Sequence, residues 1–243
     1  MISIPTQKSE GIVLSTVRYG ETQKVVNILT RENGRMAYMV SGNGKRSAGR
    51  AAMLMPLSGL DFIASGSGKR AGMKRISEMY LRRPLNAVLT DPIRRSEAFF
   101  MAELLCHALP ENVPDETLYD YVEQSIVVLE RGPNGLCNFH LYFMMHLMDY
   151  IGIAPDHERS GQSTFDMAEG RWSSQSTTHP HVLTGQNAEL WHNLALTTFD
   201  GLAQLSLNRN ERQELIGMMS DYYRLHQPGF GTLHSQEILA MLN

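Results

Sequence analysis

At 243 residues the chain can form one large domain or two small ones, and 42% hydrophobic with 19% charged residues suits a globular protein that buries a core. No apolar run approaches the ~20 residues that cross a bilayer, and the start MISIPTQKSEG lacks an apolar leader core, so a cytoplasmic protein with no membrane partner is expected. The net charge of −3 conceals a division: residues 1–83 hold 14 Lys and Arg against 5 Asp and Glu, whereas the remaining 160 hold 8 against 20.

The basic segment reads as strands. Glu10–Arg18 alternates, with Ile12, Leu14 and Thr16 on one face. Lys24–Thr30 is rich in β-branched residues, Glu32-Asn33-Gly34 signals a turn, and Arg35–Val40 returns from it as a hairpin. Ser41–Arg50 is too rich in Gly and Ser for regular structure. Leu57–Ala64 is a fourth strand, 65–72 a second basic glycine-rich loop, and Met73–Arg82 a fifth strand. Five short strands in about 80 residues predict a small closed barrel of the OB type.

After Pro84 the period changes to 3.6. Asp91-Pro92 opens a helix to about Leu109, with Ala98, Met101, Ala102, Leu105 and Ala108 in one stripe. Thr117–Glu130 and the very apolar Asn138–Ile151 follow as helices, the second stopped by Gly152 and Pro155. Residues 156–186 form a polar insertion with short β-like pieces such as Thr164–Met167. Asn187–Leu205, Arg209–His226 and Ser235–Leu242 read as three more helices. The expected class is α+β: a basic five-stranded OB-fold domain over 1–83, then an acidic helical domain over 84–243 carrying a small insertion.

Two segments, Gly42–Ser47 and Gly66–Arg70, tempt a nucleotide-binding reading. A phosphate-cradling loop needs Gly, four residues, then Gly-Lys-Ser/Thr. Here Met39 and Ile63 stand where the first Gly belongs, and Arg46 and Arg70 replace the hydroxyl. What remains are two cationic loops able to follow a phosphate backbone. His179-Pro-His181, near Asp166 and Glu169, lacks the paired cysteines of a structural zinc site. His140 and His146, six apart, read as ordinary helix residues, and Glu103 with His107 as a helix-stabilising pair. Cys106 and Cys137 read as reduced core thiols, and Tyr222-Tyr223 as core aromatics rather than base-stacking ones. With no G-x-S-x-G, no H-E-x-x-H and no carboxylate dyad, no enzymatic activity, cofactor or metal is expected.

Several weak motifs in order carry a resemblance: Glu10-Gly-Ile-Val-Leu14, Tyr19-Gly-Glu21, Val26–Thr30 before Glu32-Asn-Gly34, then Gly44-Lys-Arg-Ser47, Met55-Pro-Leu57 and Leu60-Asp-Phe62. Downstream stand Tyr150–Pro155, Tyr222–His226 and Leu233-His-Ser235. The pattern resembles the RecO family of recombination mediators over nearly the whole chain. The resemblance implies a barrel joined to helices, binding of single- and double-stranded DNA, annealing of complementary strands, and loading of recombinase (RecA, indirectly) onto protein-coated strands. It implies RecR and the C-terminal tail of single-stranded-DNA-binding protein as partners, and with them association with the nucleoid. Many members carry a four-cysteine zinc site after the position of Pro155; here the chain reads Asp156-His-Glu-Arg-Ser-Gly-Gln-Ser-Thr, so zinc is expected to be absent.

Candidate DNA-binding residues are Lys24, Arg35, Lys45, Arg46, Arg50, Lys69, Arg70, Lys74 and Arg75, the cations of the barrel strands and loops. The acidic half has eight cations, and a tail carboxylate needs an Arg beside an apolar floor. Arg94, near Phe99, and Arg131, after Ile126, Val127 and Leu129, are the candidates. Two other classes stand beside the mediator: an interaction module whose basic barrel docks an acidic protein, and a nuclease, for which the barrel lacks a two-metal carboxylate cluster.

Overall fold

A computed structural model describes residues 6–41, 49, 52–66, 73–132, 134–175 and 177–242. Strands β1 (Thr6–Tyr19), β2 (Gln23–Thr30), β3 (Gly34–Ser41), β4 (Gly59–Ser65) and β5 (Lys74–Arg83) close into a barrel of order β1-β2-β3-β5-β4. All pairings are antiparallel except β3 with β5. The β2–β3 turn needs Gly34: its φ is +68°, and a Cβ there would strike the backbone of Val113.

Strand β1 begins earlier than its alternation suggests, because its first half pairs with β4 and its second with β2. A bulge between Val13 and Ser15 explains why the hydrophobic residues Ile12, Val13 and Leu14 are buried in succession. Val13 joins Val26, Ile28, Tyr38, Val40, Leu60, Phe62 and Ile76 inside the barrel, where Tyr38 meets Phe62 edge-on at 5.1 Å. Ile12 and Leu14 point the other way, and with Leu29 and Leu57 they belong to the core of the helical layer. The helices therefore pack onto the barrel through one continuous apolar cluster.

That layer comprises α1 (Asn86–Thr90), α2 (Pro92–Ala108), α3 (Glu116–Arg131), α4 (Phe139–Tyr150), α5 (Gly185–Ala195), α6 (Arg209–His226) and α7 (Ser235–Leu242). The Asp91 carboxylate caps α2, with Pro92 at its first position, and the whole predicted stripe of α2 is buried. Asp115 caps α3, and Asn208 with Glu211 forms a capping box on α6. Helix α4 is central: Phe139, Leu141, Phe143, Met144, Leu147 and Met148 are all enclosed.

Two expectations are corrected. The helix predicted over Asn187–Leu205 stops at Ala195, and only a 3-10 turn follows at Phe199–Gly201. The β-branched pair Thr197-Thr198 ends it: the Thr197 hydroxyl bonds back to the Asn193 carbonyl, and Thr198 is extended. His140 is no ordinary helix residue. Its Nδ1 lies 2.9 Å from Glu97 Oε1, both side chains enclosed between α2 and α4.

Candidate nucleic-acid interface

Cross-strand register decides what the barrel shows to solvent. Because Val26 and Tyr38 point inward, their strand neighbours point outward. Val17 pairs with Val25, Val25 with Met39 and Met39 with Arg75, giving an apolar row across three strands that ends in a guanidinium. The Arg75 Nη2 donates to the Met39 sulfur at 3.4 Å. The flanking rows are Tyr19–Gln23–Ser41 on one side and Ser15–Asn27–Ala37 on the other. Val17 and Tyr19 are each 59% exposed, far above what apolar packing of a closed barrel would leave. Lys24 opens β2 opposite Arg18, whose Nε donates to the Gly20 carbonyl at 3.3 Å. Lys74 sits one residue before Arg75, at the start of β5.

The predicted cations thus fall into three groups. Arg75 ends this row, whereas Lys24 and Lys74 pair with Val40 and Tyr38 and so stand in the inward-facing phase, at the starts of β2 and β5 where the barrel ends. Lys45, Arg46, Arg50, Lys69 and Arg70 lie outside the described residues; the chain leaves β3 at Ser41 and β4 at Ser65, which pair with Gln23 and Arg75 at its edge. Arg35 departs from the expectation: its Nε donates to the Leu109 carbonyl at 2.8 Å, and its Nη1 lies 3.5 Å from Glu111. It pairs with Leu29 in the register, on the side the helices cover. Arg31 and Arg82, never offered as site residues, are also taken. Both reach Glu10; Arg31 continues to Asp120 and Arg82 to Glu123 and the Tyr119 hydroxyl. Arg18 and Tyr19, a basic–aromatic pair before Gly20, also stand exposed at the end of β1.

The two arginines chosen for a peptide carboxylate meet at one place, but not as a pocket. Arg94 donates to the Glu130 carbonyl at 2.9 Å and lies 3.4 Å from Asp91, so it closes the C-terminus of α3. Gly132, at φ +77°, follows because a Cβ would strike that guanidinium. Arg131 is exposed. The neighbouring Arg95 instead borders a cavity of about 120 Å³ floored by Met55, Pro56, Leu81, Leu85, Val88 and Phe99. Nothing in the local sequence separates Arg94 from Arg95; the helix phase against the barrel does.

Two family models match the chain: "Recombination protein O N terminal" over residues 1–85 and "Recombination protein O C terminal" over 89–234. Proteins named "DNA repair protein RecO" are 34% identical in Phocaeicola vulgatus and 32% in Porphyromonas gingivalis. These alignments cover 97% and 96% of this chain and 98% of each relative. The chain belongs to the RecO family. A RecO relative from Christiangramia forsetii is 29% identical over 95% of this chain and 96% of its own length. The barrel is the RecO N-terminal OB-fold, and the helices form its C-terminal region.

RecO membership raises the question of zinc in the insertion. Among the described residues no three His, Cys, Asp or Glu side chains are grouped to hold a metal, so this chain's residues do not fit a tetrahedral zinc set. The insertion carries its own apolar fastening. Strands β6 (Thr164–Asp166), β7 (Arg171–Ser173) and β8 (Val182–Leu183) form a small sheet, and Phe165 packs against Trp172 at 5.2 Å and Trp191 at 5.1 Å. The Tyr222 ring adjoins Trp191 at 5.3 Å, and Arg159 lies over Trp172 at 5.1 Å while pairing with Glu189. Tyr222 and Tyr223 are fully enclosed core residues, with hydroxyls donating to the carbonyls of Ile153 and Met144.

Proposed function

We propose that this chain is a non-enzymatic recombination mediator that binds single- and double-stranded DNA on the outer face of β1, β2 and β3. The observation that carries the reading is the outward-facing row Val17–Val25–Met39–Arg75, exposed at Val17 and Arg75 and half-buried between them, with exposed Tyr19 in the next row and Lys24 at the adjoining barrel end. Cations at its edge take phosphates and release counterions, while the apolar row and the Tyr19 ring accept bases without reading sequence. Such a surface favours annealing: it screens repulsion between two strands and leaves their hydrogen-bonding edges free. The basic segments around Lys45 and Lys69, which lie outside the described residues, add positive charge to the same half of the chain.

The reading includes helping recombinase, RecA, onto strands coated by single-stranded-DNA-binding protein, in concert with RecR. The acidic tail of the coating protein ends in an apolar residue and a free carboxylate. The Arg95 cavity matches that chemistry better than Arg94 or Arg131, because it joins an apolar floor to one guanidinium.

The test is annealing of complementary strands already coated by the cognate single-stranded-DNA-binding protein, without ATP. Annealing accelerated by the wild type, and lost when Lys24 and Arg75 become Glu, is the expected result. Oligonucleotide binding that is absent at low salt would replace the mediator by an interaction module docking an acidic protein. Magnesium-dependent shortening of the strands would replace it by a nuclease.

A further inference from the structure

We infer that the groove between the barrel and helices α2 and α7 is a subsite for one unstacked base of a bound single strand, seated against Phe99. The inference rests on the barrel-face reading above and adds a residue from the helical layer to it. The groove holds about 600 Å³. Its barrel wall is Ser15, Thr16 and Asn27, and its opposite wall is Phe99, Cys106 and Ile238, above a floor of Leu14, Leu54 and Pro56.

Three observations favour a base. First, the groove begins where the proposed DNA face ends. Ser15 and Asn27 form the row beside Val17 and Val25, and two residues along a strand advance about 6.6–6.8 Å. That step suits an extended strand passing from one row to the next. Second, the lining is divided as a base is divided. Phe99 is 40% exposed and offers a ring face. Across from it, Asn27 holds Ser15 through one amide hydrogen at 2.8 Å and keeps a second donor and its carbonyl oxygen for a base edge. Third, the groove's one carboxylate has its acceptors already taken. Both oxygens of Glu103 accept from the start of α7, from the amides of His234 at 2.9 Å and Ser235 at 2.8 Å and from the Ser235 hydroxyl. A neutral base is not repelled by that hydrogen-bonded carboxylate as a phosphate would be, so the phosphates remain outside with Arg75 and the neighbouring cations.

The test uses the full-length protein and a short oligothymidine, intact or with a single abasic position placed along its length. Wild type should bind the intact strand about tenfold more tightly than the strand whose abasic position falls at the groove, which is the lower range of base–aromatic stacking. Phe99→Ala and Phe99→Leu should both abolish that discrimination. The Leu variant keeps apolar volume, so its loss isolates the ring. A strand bearing 5-iododeoxyuridine should photocrosslink to Phe99 in wild type. Affinity that falls in K24E/R75E while abasic strands bind as tightly as intact ones, with Phe99→Ala unchanged, would overturn the subsite and leave the DNA face standing. Oligonucleotide binding indifferent to K24E/R75E would overturn both. A groove that instead takes an apolar protein segment would show Phe99→Ala losing that protein while keeping all oligonucleotide affinities, and this too overturns the base.

Discussion

His140 on α4 and Glu97 on α2 share a 2.9 Å contact in the centre of the helical layer, with the His140 ring edge-on to Phe100 at 5.6 Å. Neither side chain reaches solvent, and the second Glu97 oxygen has no partner. Removing one member leaves the other buried without its partner, whereas replacing both with apolar residues removes the desolvation cost as well. Glu97→Ala and His140→Ala should each lower unfolding free energy by about 3 kcal/mol. Glu97→Met combined with His140→Leu should cost much less than the sum of the single changes. Urea denaturation of the four proteins measures this, and simple additivity would contradict the coupling.

Charge reversal on the barrel face should act on DNA and not on folding. Arg75 is exposed, so Arg75→Glu should leave the thermal midpoint within experimental error. It should lower oligonucleotide affinity and reduce the slope of log affinity against log salt by roughly one, as should Lys24→Glu. Reversing Lys45, Arg46, Lys69 and Arg70 together should abolish binding at physiological salt. Arg35→Ala provides the contrast: it removes a bond to Leu109 between barrel and helices, and its effect should appear in stability. A salt slope unchanged in every reversal variant would rule this face out.

The three neighbouring arginines should separate in a peptide titration. Arg95→Ala should weaken a fluorescent acidic tail peptide with a free C-terminus by roughly tenfold or more, the scale of a lost charged hydrogen bond. Arg131→Ala should bind like wild type. Arg94→Ala should lose about 1 kcal/mol of stability through the freed end of α3, with affinity retained in the folded fraction. Amidating the peptide's C-terminus should mimic Arg95→Ala. Wild-type affinity in the Arg95 variant would move the tail elsewhere.

Stability should fall at alkaline pH through the buried tyrosines. Burial pushes the Tyr38 and Tyr222 hydroxyls up to about 12, and raises Tyr121 and Tyr223 well above their ordinary value. In the unfolded chain the same groups ionise near 10. Their contribution is complete below about pH 10 and is lost as the pH rises through about 12, because the unfolded state releases protons that the native state keeps. Urea midpoints measured from about pH 8 to 12, with tyrosinate absorbance followed in parallel, should decline across that window. Tyr38→Phe should make the decline shallower, and a flat profile would contradict the prediction.

Much of this molecule was legible in its sequence because the determining physics is local. Alternation, the turn at Glu32-Asn33-Gly34, the cap at Asp91-Pro92 and the 3.6-residue stripe of α2 each depend on neighbours a few residues away, and the charge division is plain counting. Helices at Arg209–His226 and Ser235–Leu242 followed from the same periodicity. The end of α5 at Ala195 did not, since apolar residues continue past it and only the back-bonded Thr197 breaks the run. The fate of each cation was invisible for a different reason. Arg35 and Arg75 are alike in sequence, but one register places Arg35 beside Leu29 under the helices and the other places Arg75 beside Met39 in solvent. Likewise Arg94 closes α3 while Arg95 borders a cavity, because successive helix residues are turned by about 100° and the barrel covers only one of those directions. The sequence by itself determined the strands, most of the helices and the sign of the charge on each half. Only the tertiary structure decided which charges remain unneutralised at the surface, since that depends on partners such as Glu10, Asp120 and Leu109 brought together from distant parts of the chain.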